Sequence, residues 1–295
     1  MSLEAEYTLE NEILKVTARS YGGEMRSITE KADGTEYLWD GNPTWWKYSA
    51  PVLFPIVGAL NNNKFRYQGK EYEQPQHGFA RVSEYEVVEQ SSDSITFALD
   101  YNQETLKNYP FKFRLEISYK LEKNTVIVGW KVKNVGDEVM YFSIGAHPAF
   151  LCPPEGKGEF SDAYLEFSSE ENSGVRELAP GCKLLHEKRE FLKGNRLDLN
   201  YDMFKEDARI FDDLKSDTIT IKSTKSNKSL GVKAEGFPYY GIWTPVKGGA
   251  PYICLEPWHG HADYADFTGD LTEKEGMRKL EAGEEFNSGY TVIVG

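Results

Sequence analysis

The sequence predicts an all-β protein in which many antiparallel strands pack face to face. Apolar and polar residues alternate with a period of two in many segments, which places one side of each strand on a core and the other side in water. Helical periodicity is scarce along the chain. Short turn signals rich in glycine, asparagine and aspartate separate the alternating segments. Together these observations favour face-to-face sheets over a helical or mixed architecture.

The strand segments can be followed along the chain. Alternation is clearest in four of them, at residues 12–19, 94–100, 113–119 and 218–221. Residues 125–132 are more continuously apolar, which favours a deeper position for that strand. Turn signals punctuate the segments at Asp33-Gly34, Gln68-Gly69, Lys123-Asn124, Val135-Gly136-Asp137 and Pro180-Gly181.

Helical turns are expected at two places. Residues 103–108 can form one or two turns before Pro110 ends them, and residues 201–206 can form another. No Gly-x-Gly-x-x-Gly segment or P-loop follows a strand, so the sequence carries no nucleotide-binding fingerprint. No fixed repeat, low-complexity tract or linker divides the chain. Residues 1–295 are therefore expected to form a single domain.

Composition excludes several classes of protein. The chain has 34 Lys and Arg against 47 Asp and Glu, a formal net charge of −13, which argues against a nucleic-acid partner because phosphate recruits basic residues. No apolar run approaches the roughly 20 residues that a membrane-spanning helix needs. Three widely spaced cysteines and the lack of a secretory signal favour a reduced, cytoplasmic protein. The oligomeric state stays open.

Two of the five histidines stand in segments that suit a site. His77 follows a hairpin-like stretch and precedes Gly78, where it either caps a turn or faces a ligand. His147 ends an apolar strand, and Pro148 favours an extended backbone at this position. Its imidazole therefore either completes a hydrogen bond in the core or faces a pocket.

Glu256 interrupts an otherwise apolar strand. An isolated buried charge is costly, so this carboxylate needs a partner, a shifted pKa or a polar cleft. A desolvated carboxylate is a suitable general base once its pKa approaches the working pH. The structural alternative is a salt bridge to Arg26, Arg81 or Arg114. Trp258 shares the face of Glu256 in an extended strand and either stacks on a sugar or fills the core.

Two further groups of residues are weaker signals. His259, His261 and Asp263 alternate, so in an extended segment all three would point the same way, as metal ligands can. No neighbouring ligand cluster completes a structural zinc site, so no metal is predicted here, and a metal-dependent isomerase is kept as an alternative. Asp202 and Asp207 precede a strand, where acids are usually solvated or cap a turn.

Five segments together are more specific than any one of them. They are Phe54-Pro55-Ile56-Val57-Gly58, Pro75-Gln76-His77-Gly78-Phe79-Ala80-Arg81, Gly145-Ala146-His147-Pro148-Ala149-Phe150, Gly241-Ile242-Trp243 and Leu255-Glu256-Pro257-Trp258. Their order and spacing resemble those of the aldose 1-epimerase family, whose members are galactose mutarotase-like, and in particular its bacterial LacX-type branch. The resemblance runs from about residue 5 to residue 293 and implies a single-domain antiparallel β-supersandwich with a sugar cleft across a broad sheet.

The resemblance also implies roles for individual residues. His77 and His147 match the two working histidines of the family, and Glu256 matches its base. Asp207 is the best match to a sugar-binding aspartate. The implied reaction is interconversion of the α and β anomers of an aldose, with a small sugar as partner and no cofactor or metal. A carbohydrate-binding or sugar-sensing protein that uses the same cleft without turnover is the alternative, and the presence of all three working groups favours the enzyme.

One position departs from the pattern of this branch. Related LacX-type sequences commonly carry arginine directly after the glycine of the Phe-Pro-Ile-Val-Gly segment, where this chain has Ala59. A contact that orients the substrate is therefore either lost or supplied by Arg81. Arg81, Asp207 and Trp258 form the expected substrate-binding set. The sequence does not distinguish a free hexose from a hexose phosphate.

Overall fold

Strands dominate the computed structural model, which describes residues 5–245 and 249–295. Helical structure within these ranges comprises α1 (Thr105–Asn108) and short 3₁₀ turns, including Tyr201–Phe204, so both places expected to be helical contain a turn. No helix among the described residues has the length and apolar character needed to cross a membrane. The strands are β1 (Glu6–Glu10), β2 (Leu14–Arg19), β3 (Glu24–Glu30), β4 (Val52–Leu53), β5 (Lys64–Tyr67), β6 (Lys70–Glu73), β7 (Glu86–Gln90), β8 (Ser94–Asp100), β9 (Phe113–Glu122), β10 (Thr125–Asn134), β11 (Met140–Phe142), β12 (Ile144–Ala146), β13 (Ala149–Leu151), β14 (Ala163–Ala179), β15 (Lys183–Asp198), β16 (Arg209–Phe211), β17 (Thr218–Ser223), β18 (Leu230–Lys233), β19 (Tyr239–Trp243), β20 (Tyr252–His259), β21 (Arg278–Leu280) and β22 (Glu285–Val294).

The largest sheet has nine strands in the order β15-β14-β17-β18-β22-β10-β9-β8-β7. Every neighbouring pair in it is antiparallel. Alternation explains its inner face: on β9, Phe113, Leu115 and Ile117 are fully buried, and the residues between them are half-buried. β1 to β3 form a separate three-stranded sheet. The predicted all-β, antiparallel architecture is confirmed.

The depth of β10 differs from the expectation. Its continuous apolar sequence favoured a deeply buried strand, but burial alternates along it as it does along β9. Val126, Val128 and Val132 are buried, whereas Ile127 is only half-buried. The physical reason is the pleat, which turns every second residue to the outer face whatever its polarity.

A second sheet, of six strands, places the residues singled out in the sequence. Its order is β16-β19-β20-β12-β4, and β13 also pairs with β20. β20 lies at the centre and all its residues are buried. Ile253 and Leu255 join the core that also contains Leu115 of the large sheet. Alternation turns Cys254, Glu256 and Trp258 to the opposite face of β20.

A break in the strand beside β20 positions His147. β12 pairs Gly145 with Trp258, and β13 pairs Ala149 with Cys254. Ala146, His147 and Pro148 lie between these two pairs and belong to no ladder pair with β20, although the Leu255 amide donates to the Pro148 carbonyl at 3.3 Å. Because both flanking strands hold register with β20, His147 lies beside Glu256.

A buried ion pair lies within the loop after β20, and its aspartate also bonds to the loop after β4. The Lys274 ammonium lies 3.0 Å from Asp263 Oδ1, with the side chains 3% and 4% exposed, and it also donates to the His261 carbonyl at 2.8 Å. Asp263 Oδ2 accepts from the Asn61 amide at 2.8 Å, and the Asp263 amide donates to the Ala59 carbonyl at 2.9 Å. Burial lowers the pKa of Lys274, and the nearby carboxylate opposes this shift.

We expect Lys274→Met to lower the free energy of unfolding by about 3–5 kcal/mol, because it leaves the Asp263 carboxylate buried without its cation. Urea unfolding followed by circular dichroism measures this loss. Lys279→Met is the matched control, since Lys279 pairs with Glu281 at 2.7 Å while both side chains are 55% exposed. That exposed pair should contribute less than about 1 kcal/mol. Equal losses in the two variants would contradict the prediction.

Candidate active site

The six site residues expected from the sequence line one cavity. His77, Arg81, His147, Asp207, Glu256 and Trp258 all face a space of about 490 Å³. A larger surface groove of about 650 Å³, beside Glu138 and Asp270, contains none of the six. Residues from four distant parts of the sequence thus meet at the open face of β20.

Glu256 and His147 form the closest pair of titratable groups in the cavity. Glu256 Oε2 lies 3.2 Å from His147 Nε2, and the Glu256 side chain is 1% exposed. The three arginines considered as partners make other contacts: Arg26 reaches Glu24, Arg114 reaches Asp100 and Glu116, and Arg81 donates to the Gln76 carbonyl. Within the described residues, the titratable group closest to Glu256 is therefore His147, and the arginine alternative is wrong.

Burial shifts the pKa of both members of this pair. Desolvation raises the pKa of Glu256 well above its usual value, and the charge of Asp207 adds to the shift. Desolvation lowers the pKa of His147 to about 3, with a further contribution from the Arg81 guanidinium. Each shift favours the neutral form of its group. Both shifts therefore favour a proton on Glu256 over a proton on His147.

His77 is held by a backbone hydrogen bond that fixes its tautomer. The Gly58 amide donates to His77 Nδ1 at 3.1 Å, so in the neutral ring the proton is on Nε2. Its ring lies edge-on to the ring of His147, with centroids 5.5 Å apart. Gly58 can approach because it has no side chain: a Cβ there would come within 2.6 Å of the Ala262 amide nitrogen. Burial lowers the pKa of His77 well below its usual range, so the ring is a neutral N–H donor.

Arg81 and Asp207 face the cavity from two other segments. Arg81 lies over the ring of Tyr48, with its guanidinium carbon 5.0 Å from the ring centroid. Asp207 Oδ1 accepts from the Ala208 amide at 2.8 Å, and Oδ2 accepts from the Cys182 thiol at 2.9 Å. Ala59 is buried and does not line the cavity, whereas Arg81 does.

Trp258 is fixed as a flat wall of the cavity. Its Nε1 donates to the Ala146 carbonyl at 3.1 Å. Its ring spans the neighbouring strands, because a Cβ at Gly145 or Gly241 would lie 2.5 or 2.6 Å from its ring atoms. With its N–H already engaged, the indole offers an apolar face to the cavity.

The residues of the chain place it in a known family. The family model described as aldose 1-epimerase matches residues 5–276. The chain belongs to the aldose 1-epimerase family. It is 35% identical to the plasmid-encoded protein LacX of Lactococcus lactis subsp. lactis, over 97% of this chain and 98% of the relative. The family expected from the sequence motifs is thereby confirmed.

Solved structures of galactose mutarotase-like proteins have the same fold as this chain. A galactose mutarotase related enzyme from Lactobacillus acidophilus is 35% identical, with a TM-score of 0.94 over 99% of this chain and 97% of that one. A galactose mutarotase-like protein from Lactobacillus casei ATCC 334 is 31% identical, with a TM-score of 0.93 over 99% of this chain and all of that one. These similarities confirm the galactose mutarotase-like fold of this family member.

The His259 and His261 segment does not form a convergent ligand set. His259 accepts from Arg278 on Nδ1 at 2.6 Å and contacts the Ser288 hydroxyl through Nε2 at 2.7 Å, so both ring nitrogens are engaged. His261 Nδ1 lies 2.7 Å from the Ala262 carbonyl oxygen. The left-handed φ of +128° at Gly260 interrupts the extended backbone that would have aligned the side chains.

Sequence reasoning missed part of the cavity of this family member. Trp46 packs on His147 with ring centroids 4.6 Å apart. Trp243 belongs to one of the five motif segments but was given no role, and its ring centroid lies 5.7 Å from that of His147. Tyr48 and Cys182 also line the space. The aromatic run from Trp45 to Tyr48 was a signal that could have found this wall, whereas the contact between Cys182 and Asp207 depends on tertiary structure alone.

Proposed function

We propose that this chain is a mutarotase that interconverts the α and β anomers of an aldose, a hexose or a hexose phosphate. The observation that carries the proposal is the Glu256–His147 pair, a carboxyl and an imidazole 3.2 Å apart in the wall of a sugar-sized cavity. The hydrogen bond that the Gly58 amide donates to His77 Nδ1 leaves the N–H of the neutral ring on Nε2. Family membership supports the reaction type, and the chain as a whole is proposed to act as one domain.

The reaction needs one base and one acid. Glu256 takes the proton from the C1 hydroxyl while His147 gives a proton to the ring oxygen, and the C1–O5 bond breaks to give the open-chain aldehyde. Rotation about the C1–C2 bond then presents the other face of the aldehyde to the O5 hydroxyl. Closure reverses both proton transfers, so the pair holds the same number of protons at the end, and no electrons are gained or lost. Positioned acid–base groups of this kind accelerate such steps by about 10²–10⁴-fold.

Substrate binding sets the protonation state for this step. In the empty cavity, desolvation of both groups favours a proton on Glu256 rather than on His147. A bound sugar donates hydroxyl hydrogen bonds to the carboxylate and accepts one at its ring oxygen, which favours the charged forms. The proton then has to move only across the 3.2 Å between the two side chains.

His77 and the remaining residues orient the ring. The neutral His77 donates from Nε2 to a sugar oxygen and so polarises the opening ring without exchanging a proton. Arg81 and Asp207 bind hydroxyl groups as donor and acceptor, and Trp258 stacks its apolar face on the C–H bonds of the sugar. A binding protein would need these contacts, but it would not need an acid and a base side by side.

We expect the purified chain to equilibrate freshly dissolved aldoses, and Glu256→Gln to lower kcat by about 10²-fold or more, because the amide cannot accept a proton. Polarimetry or NMR exchange across a panel of free aldoses and hexose 6-phosphates measures the rates and identifies the sugar class. Titration with the best substrate should show that Glu256→Gln still binds sugar.

Glu138→Gln is the matched control, because Glu138 lines the larger groove that contains none of the six site residues. It should keep the wild-type rate. A stable Glu256→Gln variant with undiminished turnover would remove Glu256 from the mechanism. A wild-type chain that binds sugars and converts none of them would instead favour the binding-protein alternative.

Arg81→Ala is expected to raise KM by about 10-fold or more, since a charge-assisted hydrogen bond contributes about 1.5–3 kcal/mol. Steady-state kinetics on the identified sugar measures this change. Arg81→Lys should restore only part of the affinity, because an ammonium cannot reproduce the planar donor pair of a guanidinium. Unchanged kinetics in Arg81→Ala would show that the side chain acts only in packing against Tyr48.

A further inference from the structure

The proposed mechanism gives no role to Cys254, although its thiol lies next to the proposed acid–base pair. One ligand atom each from His147, Cys254 and Glu256 lie within 4.8 Å of one another, and all three residues are buried. Among the described residues, this is the group of histidine, cysteine and carboxylate side chains that converges closely enough to hold a metal ion.

The β20 register brings these three groups together. Cys254 and Glu256 are two residues apart on β20 and therefore point to the same face. The break between β12 and β13 places His147 over that face, since Ala149 is already paired with Cys254. Glu256 Oε2 has no hydrogen-bond partner among the described residues, so a buried lone pair is available at the centre of the group.

We propose that His147, Cys254 and Glu256 bind a thiophilic divalent cation, Zn²⁺ or Cd²⁺, and that this binding inhibits the mutarotase. Tetrahedral Zn²⁺ with sulfur, nitrogen and oxygen ligands places the ligand atoms about 3.3–3.7 Å apart. The His147–Glu256 separation of 3.2 Å is close to one such distance, and the two distances to the Cys254 sulfur, which are at most 4.8 Å, would reach this range when a cation binds. The inhibition rests on the proposed function, whereas the binding does not.

Charge and ligand type favour a soft cation. A thiolate, a carboxylate and a neutral imidazole carry two negative charges in total, so a divalent ion gives a neutral buried complex, and the displaced protons leave to bulk water. Thiolate and imidazole select Zn²⁺ and Cd²⁺ over Mg²⁺ and Ca²⁺, which prefer oxygen ligands. The cavity reaches His147 and Glu256 and supplies both an entry path and a fourth coordination position. A cation bound there occupies the lone pairs that proton transfer needs.

Titration of the metal-free protein with Cd²⁺ tests the site directly. We expect one Cd²⁺ per chain by equilibrium dialysis, with the ultraviolet charge-transfer band of a cadmium thiolate. Cys254→Ala should lose the band and weaken binding at least about 10-fold, the scale on which altering a metal site acts. Cys152→Ser and Cys182→Ser remove the other two thiols of the chain and should keep the band. Cys254→Val fills the same space without a sulfur and repeats the test if the alanine variant is unstable.

Activity provides the second readout. Cys254→Ala should keep the basal mutarotation rate and lose its sensitivity to Cd²⁺. A wild-type chain that binds no Cd²⁺, or a Cys254→Ala chain that keeps the band or the inhibition, overturns the site and leaves the mutarotase proposal intact. A chain that binds Cd²⁺ through Cys254 but equilibrates no aldose overturns the mutarotase proposal and leaves the metal site standing.

Discussion

The burial of Glu256 is the constraint on which the rest of the candidate site depends. A carboxylate in the central strand of a sheet loses its hydration, and this loss is the main cause of its raised pKa. An arginine placed directly on it would restore the low pKa and remove its basicity. The chain instead holds the Arg81 guanidinium on the Gln76 carbonyl and sets a histidine against Glu256. The carboxyl therefore has a partner that exchanges protons rather than a permanent counter-charge.

Two residues that line the candidate site have strained backbone conformations. His77 and Asp207 both adopt left-handed φ values, +68° and +81°, which side chains other than glycine rarely take. Such conformations cost about 1–3 kcal/mol each and persist where neighbouring contacts determine them. A hydrogen bond from the Gly58 amide holds the His77 side chain in place, and hydrogen bonds from the Ala208 amide and the Cys182 thiol hold that of Asp207. The ion pair of Asp263 with Lys274 in turn fixes the loop that carries Gly58.

Local sequence patterns predicted the strands and the motif residues, but they did not predict all the partners of those residues. Alternation along 113–119 predicted the two faces of β9, because a pleat needs only local information. The partner of Glu256 depends on a break between β12 and β13 that no local pattern encodes, so the sequence suggested only arginines as ion-pair partners, whereas the structure places His147 there. The same limit applies to Gly260. Its left-handed backbone turns the side chains of His259 and His261 in different directions, so they do not converge as the alternating sequence suggested.

Proton transfer and metal coordination compete for the same lone pairs. A base in a dry cavity must keep at least one lone pair free of hydrogen bonds, as Glu256 Oε2 does within the described residues. A free lone pair beside a thiol and an imidazole is also what a thiophilic cation requires. Burial that makes Glu256 more basic therefore also makes it a stronger ligand for a metal ion. Replacing Cys254 with an apolar residue would separate the two properties, since it removes the soft ligand and leaves the desolvation of Glu256 almost unchanged.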